Sequence, residues 1–255
     1  MSTQLHGKIA LVTGSNAGIG RAIAIALAAN GAKVGVSYLN NKEQGEETVK
    51  LIRQAGGQAE LFQADVTNAA QIESLVSGVE SAFGSTIDIL VNNAGHLVQR
   101  ISNAEMTEEL YDKILNVNLK STVFMCKRVL PGMKAKGAGR IVNMSSIAAY
   151  NGGGPGASLY AASKAAVASY SKGLAKEVAG DGVTVNIVSP GFIGQTAFHS
   201  TFTSDDARKA TVNGIPLKRE GTPEDVAGAV LYLVSDLASY LTGETIEING
   251  GMFMR

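Results

Sequence analysis

At 255 residues the chain is long enough for one full hydrophobic core or two small ones. Lysine plus arginine and aspartate plus glutamate both total 22, and no basic block appears, which speaks against nucleic acid as the main partner. Hydrophobic residues reach 45% against 17% charged, so much surface is expected to be buried, some of it between subunits.

The chain enters through Lys8–Val12, an apolar run that reads as a buried strand. It continues directly into Thr13-Gly14-Ser15-Asn16-Ala17-Gly18-Ile19-Gly20 and an Ala/Ile/Leu-rich helix ending at Asn30-Gly31. Strand, glycine-rich turn and helix in that order form the first half of a dinucleotide-binding unit. Gly14 permits the tight turn, Gly18 lets backbone approach a pyrophosphate, and Gly20 lets helix pack on strand. Further strands are expected at Lys33–Ser37, Glu60–Gln63, Asp88–Val91, Arg140–Asn143, Thr184–Val188 and Thr245–Ile248. Helical periodicity fills Glu43–Ala55, Ala69–Phe83, Glu108–Lys136, Ser158–Ala179 and Pro223–Ser235. Thr107 and Thr222 stand at cap positions, and Gly31, Gly56 and Gly180 where helices end. This alternation predicts an α/β fold: one domain over residues 1–255, with a doubly wound, parallel, seven-stranded sheet and helices on both faces. Gly14, Asp65, Asn93, Ser146 and Pro190 each follow a predicted strand, at the edge where ligands bind open parallel sheets.

Tyr160 and Lys164 lie at i and i+4 on one helix face, with about 6 Å of axial rise between them. A cation beside a phenol eases loss of its proton, so the pair is expected to lower the tyrosine pKa toward neutrality. The lone cysteine, Cys126, cannot form an internal disulfide and reads as a small buried hydrophobe. His6, His96 and His199 have no second metal-type ligand at suitable spacing, so no metal is expected; His96 follows Gly95 and can line a substrate pocket. Apolar stretches such as Val226 to Val234 fall short of the ~20 residues that span a bilayer. With no hydrophobic signal segment at the start, the expected setting is the cytoplasm, with no membrane partner.

The glycine turn, Asn92-Asn93-Ala94-Gly95, Asn118-Leu119, Ser146, Tyr160 with Lys164, Pro190-Gly191 and the closing Leu241-Thr242-Gly243-Glu244…Asn249-Gly250-Gly251 together resemble the short-chain dehydrogenase/reductase family over nearly the whole chain. The likeness extends to its 3-oxoacyl-acyl-carrier-protein reductases and related ketoreductases. It implies that Tyr160 is the acid/base, that Lys164 lowers its pKa and holds the nicotinamide ribose, and that Ser146 rather than Ser145 bonds the substrate oxygen. By the same resemblance Asn118 holds a water that links Lys164 to solvent. Asp65 and Val66 would meet the adenine, and Ile193 and Thr196 the nicotinamide carboxamide. The implied cofactor set is Gly14, Ser15, Asn16, Gly18, Ile19, Gly20, Ser37, Tyr38, Asn40, Asp65, Val66, Asn93, Ala94, Gly95, Tyr160, Lys164, Pro190, Gly191, Ile193 and Thr196.

The irregular stretch 192–215 stands where the family carries a substrate lid. Phe192, Phe198, His199 and Phe202, with Leu97, Tyr150, Leu159 and Met252, are candidates for apolar walls. The expected reaction is hydride transfer between a nicotinamide and a neutral carbonyl or secondary alcohol. A carrier-bound 3-oxoacyl substrate remains open because Arg208, Lys209, Lys218 and Arg219 stand near the lid. A nucleotide-sensing regulator without turnover is the alternative from another class. NADP(H) is favoured over NAD(H), because Lys33 to Lys42 holds no acid to bond a ribose and repel a 2′-phosphate, while Ser37, Asn40 and Asn41 can donate to one. Against this, Ala17 occupies a place where many such relatives carry a basic residue, and Lys42 is the one cation the loop offers. Relatives pair the two long helices between subunits, so a homotetramer is expected, with the C-terminal Gly-Gly-Met-Phe-Met at a second interface.

Overall fold

The computed structural model describes residues 4–196, 201 and 204–254. Seven strands, β1 (Ile9–Val12), β2 (Lys33–Tyr38), β3 (Gln58–Gln63), β4 (Ile89–Asn92), β5 (Gly139–Met144), β6 (Val183–Pro190) and β7 (Thr245–Ile248), form one sheet in the order β3-β2-β1-β4-β5-β6-β7. Every pairing is parallel, with Val12 opposite Val36 on one side and Val91 on the other. The order reverses between β1 and β4, which opens a crevice at the C-terminal ends of these two strands. β1 and β4 are buried at every residue, as central parallel strands covered on both faces must be.

Helices α1 (Gly18–Ala29), α2 (Lys42–Gln54) and α9 (Pro223–Val234) cover one face. Their core joins Val12, Val34 and Val36 to Ile23, Leu27, Val226 and Val230. On the other face, α3 (Ala69–Phe83), α5 (Ser121–Lys136) and α7 (Ser158–Val178) bury Leu11, Leu90 and Val185 beneath Val76, Val79, Met125 and Leu174. The alternating side-chain direction of each strand delivers successive residues to the two cores.

The stretch Glu108–Lys136 is not one uniform helix. It consists of α4 (Glu108–Leu115), a π-turn at Asn116–Lys120, and α5. The Ser121 N–H skips one residue and donates to Asn116 O, which widens the turn around the Asn118 amide. Two elements absent from the periodicity reading are α6 (Ala148–Asn151) and α8 (Asp205–Gly214). Both caps formed as expected: Thr107 accepts from the Leu110 N–H at 3.2 Å, and Thr222 forms a reciprocal capping box with Asp225. Gly180 does not end α7. A 3-10 turn at Ala179–Asp181 follows, and Gly182, at φ +72°, takes the left-handed position.

Candidate active site

The glycine turn is held from three sides. Ser15 is fully buried; its hydroxyl donates to Val12 O at 2.7 Å and accepts from the Ser37 N–H at 3.0 Å. The Ser37 hydroxyl accepts from the Gly14 N–H at 3.2 Å. From β4, the Asn93 amide donates to Thr13 O and Gly14 O at 2.9 and 3.0 Å. The Thr13 hydroxyl in turn accepts the N–H groups of Asn93 and Ala94, each at 3.0 Å. Thr13 was not singled out from sequence, although its place directly before Gly14 was the available signal.

The turn fits a dinucleotide phosphate. Gly14 and Gly18 are left-handed, at φ +61° and +52°. A Cβ on Gly20 would meet Gly14 O and lie 2.6 Å from the Asn93 amide nitrogen, so this position tolerates no side chain. Among the described residues the only atom within 4 Å of such a Cβ on Gly18 is the Thr196 methyl carbon, which leaves room for a phosphate to approach. Helix α1 begins there with no side-chain cap and no acid in its first turn, so its dipole and early N–H groups remain available to an anion. Thr196, whose hydroxyl donates to Ile193 O at 3.1 Å, thus stands beside Gly18 on the rim.

Several sequence expectations change here. The Ser37 side chain is 1% exposed and committed to the turn, so it is not an open phosphate donor. Tyr38 packs its ring beneath α2 near Gly45, at a groove it shares with Val49 and Leu61. Asn41 caps α2 by accepting from the Gln44 N–H, whereas Asn40 is exposed. Asp65 turns one carboxylate oxygen back onto the Thr67 N–H and hydroxyl, and Val66 is buried. Pro190 is the last residue of β6 rather than a loop residue. Gly191 follows, its N–H donating to Ile248 O, and a Cβ there would strike Asn249. Ile193 is 2% exposed and bridges to Gly221. Phe198, His199 and Phe202 lie outside the described residues.

Ser146, Tyr160, Lys164 and Asn118 come together across β5, α7 and the π-turn. The Tyr160 hydroxyl is hydrogen-bonded to Ser146. Ser146 also accepts from the Ala148 N–H at 3.2 Å, which orients it at the entry to α6. Ser145 is 4% exposed and donates to Lys164 O at 2.9 Å, so its hydroxyl belongs to the framework. Lys164, 4% exposed, places Nζ 2.9 Å from Met144 O and 5.9 Å from the Tyr160 ring centre. A Cβ on Gly95 would lie 2.8 Å from both Lys164 Nζ and Asn118 Oδ1, so this glycine leaves room for both. Asn118 is fully buried, accepting from the His96 N–H and donating to the carbonyls of His96 and Ile114. Its amide is therefore engaged with backbone groups of His96 and Ile114.

Burial dominates the titration of this cluster. It pushes the Tyr160 phenol up to about 12, against the smaller opposing effect of its bond to Ser146. It pulls the Lys164 ammonium down to about 8. The expected lowering of tyrosine by lysine is therefore reversed, because both groups lose water and the ammonium spends a hydrogen bond on Met144 O.

Beneath the site, Asn92 donates to Asn143 Oδ1 at 2.8 Å and Asn143 donates to the Ser171 hydroxyl at 2.8 Å. Cys126 joins this buried polar group, and burial holds its thiol at about 12. Among the described residues no group of three or more His, Cys, Asp and Glu could hold a metal ion, and no helix is long and apolar enough to cross a membrane.

A family model described as Enoyl-(Acyl carrier protein) reductase matches residues 14–253. The 3-oxoacyl-[acyl-carrier-protein] reductase FabG of Staphylococcus epidermidis is 40% identical over 247 residues, spanning 97% of this chain and 99% of that one. Its Escherichia coli (strain K12) counterpart is 42% identical over 254 residues, 98% of each. Among solved structures, a dehydrogenase/reductase from Sinorhizobium meliloti 1021 superposes with a TM-score of 0.91 at 36% identity, covering 98% of this chain and 97% of that one. An NADH-dependent reductase, A1-R′, responsible for alginate metabolism, gives 0.90 at 34% identity over all of both chains. The chain belongs to the short-chain dehydrogenase/reductase family and is an NAD(P)-dependent oxidoreductase acting on CH–OH and carbonyl groups.

Proposed function

We propose that the protein reduces the 3-oxo group of an acyl thioester, using NADPH in preference to NADH. The observation that carries this reading is the Ser146–Tyr160–Lys164 cluster, with Ser146 turned to the phenol while Ser145 is tied to Lys164 O. The names of the relatives at 40% and 42% identity supply the thioester. Gly14, Gly18 and Gly20 with Asn93 would hold the dinucleotide, and Lys164 its ribose. When bound in its reduced form, the nicotinamide supplies the hydride.

The chain's own residues manage the oxygen. The Ser146 hydroxyl donates to the carbonyl oxygen and steadies the charge that grows there. Tyr160 then gives that oxygen its proton. With its pKa near 12 the phenol is fully loaded at neutral pH, so the proton is in place for reduction. Oxidation needs the phenolate, whose formation burial opposes. Lys164 keeps most of its charge below pH 8 and would stabilise the phenolate left after transfer.

A second reading, a neutral ketone with no carrier, draws support from the cations at the mouth. Arg208 pairs with Glu220, Arg219 with both Asp225 oxygens, and Lys218 donates to Asn213 O. An acidic carrier would compete with these partners. Rates of NADPH oxidation with carrier-bound 3-oxoacyl groups, the same acyl groups on a short thiol, 2-enoyl thioesters and simple ketones would decide. Activity on ketones alone rejects the thioester, and activity on 2-enoyl thioesters alone rejects carbonyl reduction.

The cofactor preference rests on the absence of an acid from Lys33 to Lys42, with exposed Asn40 and Asn41 instead. A higher kcat/KM with NADH would overturn it. A homotetramer is supported by the groove between α5 and α7, where Val123, Leu130, Pro131 and Leu174 gather. Light scattering that returned a monomer at micromolar concentration would reject this assembly.

A further inference from the structure

Arg21 sits one helical turn after Ala17, and its N–H donates to Ala17 O at 3.1 Å. Ala17 is the extended N-cap of α1, and the Arg21 side chain runs back from the start of the helix to the carbonyl of Asn16 just before it. Its guanidinium ties two elements together. Nε donates to Asn16 O at 3.1 Å and to the Thr48 hydroxyl at 2.9 Å. Nη2 donates to Asn16 O at 2.7 Å and to Gln44 O at 3.0 Å. The fully buried Thr48 hydroxyl lies 3.1 Å from Asn16 O and 3.0 Å from Gln44 O and shares its one proton between them, and the Asn16 amide donates to Gln44 Oε1 at 3.2 Å. The carbonyl of the glycine turn is thereby fixed to the first two turns of α2. No described residue partners Nη1.

These two elements enclose the place where the adenosine ribose of a dinucleotide lies: the glycine turn on one side, the β2–α2 connection on the other. The connection itself offers little charge for a 2′-phosphate. Lys42 pairs with Glu46 at 3.4 Å, and both are well exposed. Arg53, at the far end of α2, is bonded to Ala59 O and Glu60. Among the described residues Arg21 is the arginine bonded to both elements, and the partners that hold it are carbonyls and a hydroxyl, which leave its charge uncompensated.

We infer that Arg21 is the residue that makes the adenosine end selective for a 2′-phosphate, replacing from the next turn of α1 the cation that Ala17 lacks. It acts through its charge, which raises the potential between Asn16 and α2, where the 2′-phosphate would lie. The inference deepens the cofactor reading above and rests on it for the orientation of the dinucleotide.

Calorimetry with two cofactor fragments tests it without turnover. Adenosine 2′,5′-bisphosphate carries the 2′-phosphate and AMP does not. The wild-type protein is expected to bind the bisphosphate at least tenfold more tightly than AMP. In Arg21→Met the ratio should fall to within twofold, with AMP affinity held within twofold of wild type. Arg21→Lys restores a cation without the fork and should recover part of the ratio. If Arg21→Met loosens the turn, Arg21→Gln keeps a donor toward Asn16 O, and melting temperatures report which variants retain the fold. Equal weakening of both fragments would reduce Arg21 to a structural clamp and overturn the inference. So would a wild-type ratio near one, or an unchanged ratio in the variants. The cofactor reading fails separately, if wild-type kcat/KM favours NADH while the fragments still discriminate through Arg21.

Discussion

The glycine turn and the Ser146–Tyr160–Lys164 cluster occupy the same edge of the sheet, yet they are built on different physics. From Thr13 to Ser15 every strut of the turn is a neutral hydrogen bond: Ser15 and Ser37 across β1 and β2, Thr13 and Asn93 across β1 and β4. The one charged group, Arg21, is a guanidinium bonded to Asn16 O. Arginine stays ionised, no acid, histidine, lysine or tyrosine enters, and the shape is set by what cannot fit, as at Gly20. The second region holds two ionisable side chains, and burial drives both toward their neutral forms, tyrosine up and lysine down. One region should therefore respond to volume and be indifferent to pH. The other should respond to pH and to single polar atoms.

The largest effect tests the second region alone. Tyr160→Phe keeps the ring and removes the proton, so turnover should fall by ~10²–10⁴-fold while nucleotide affinity survives. Ser146→Ala removes a donor to the developing charge and should cost ~10²-fold in kcat. Steady-state kinetics beside fragment binding give both numbers. Retention of a tenth of the rate in the tyrosine variant would end the proposed mechanism.

The next effect is a pH window. Lys164 titrates near 8 in the folded protein and near 10.5 without its surroundings, so between these values the unfolded chain holds the extra proton. Stability should accordingly rise with pH from about 8 to about 10, by up to about 3 kcal/mol from this residue. Below pH 8 both states are protonated and the contribution is flat. Tyr160 acts with the opposite sign and higher up, losing stability as pH climbs from about 10 to 12, so the measurement stops at 10. Denaturant titrations of wild type and Lys164→Met at pH 7.5, 8.5 and 9.5 isolate the lysine by difference. Parallel curves would show that the ammonium is not held down by burial.

A volume change tests the first region. Gly20→Ala forces a methyl against Gly14 O and the Asn93 amide, and overpacking of this kind costs about 1–3 kcal/mol. A lower melting temperature should come with loss of nucleotide affinity, and neither should vary between pH 6 and 9. A normal melting curve with normal affinity would mean that the turn is softer than its packing implies.

The same contrast explains what could be read from the sequence. Strand-turn-helix order and the glycine spacing specify β1, the turn and α1, because backbone geometry is what those residues exist to permit. Strand ends place Asn93 and Ser146 at the rim for the same reason. Thr13 and Ser15 were harder: a small hydroxyl carries no periodicity, and its role appears only when β4 and β2 lie beside it. The helix expected through Glu108–Lys136 hid a π-turn, since five-residue hydrogen bonding leaves the apolar pattern almost unchanged. Helix α8 escaped notice because none of its residues is buried, so no stripe marks it. The titration of Tyr160 was misjudged because a four-residue spacing sets proximity and says nothing of the solvent both groups lose. Arg21 carries no signal in the sequence, because its bonds to Asn16 and Gln44 exist only once α2 lies beside the glycine turn.

The smallest effect separates the two neighbouring serines. Ser145 and Ser146 are chemically identical, and sequence register alone preferred the second. Ser145 donates to Lys164 O and is buried, whereas Ser146 is half-buried and bonded to the Tyr160 hydroxyl. Removing the first hydroxyl should cost about 1 kcal/mol of stability, the usual net value of one hydrogen bond. That loss falls on the backbone of Lys164 rather than on the oxygen that would meet a carbonyl, so kcat in Ser145→Ala should stay within threefold of wild type. Denaturant midpoints and initial rates, measured for both alanine variants, place them on opposite axes: one moves in stability, the other in rate. If Ser145→Ala loses rate as Ser146→Ala does while its stability holds, the two hydroxyls share the substrate oxygen and the division drawn between framework and reacting group is wrong.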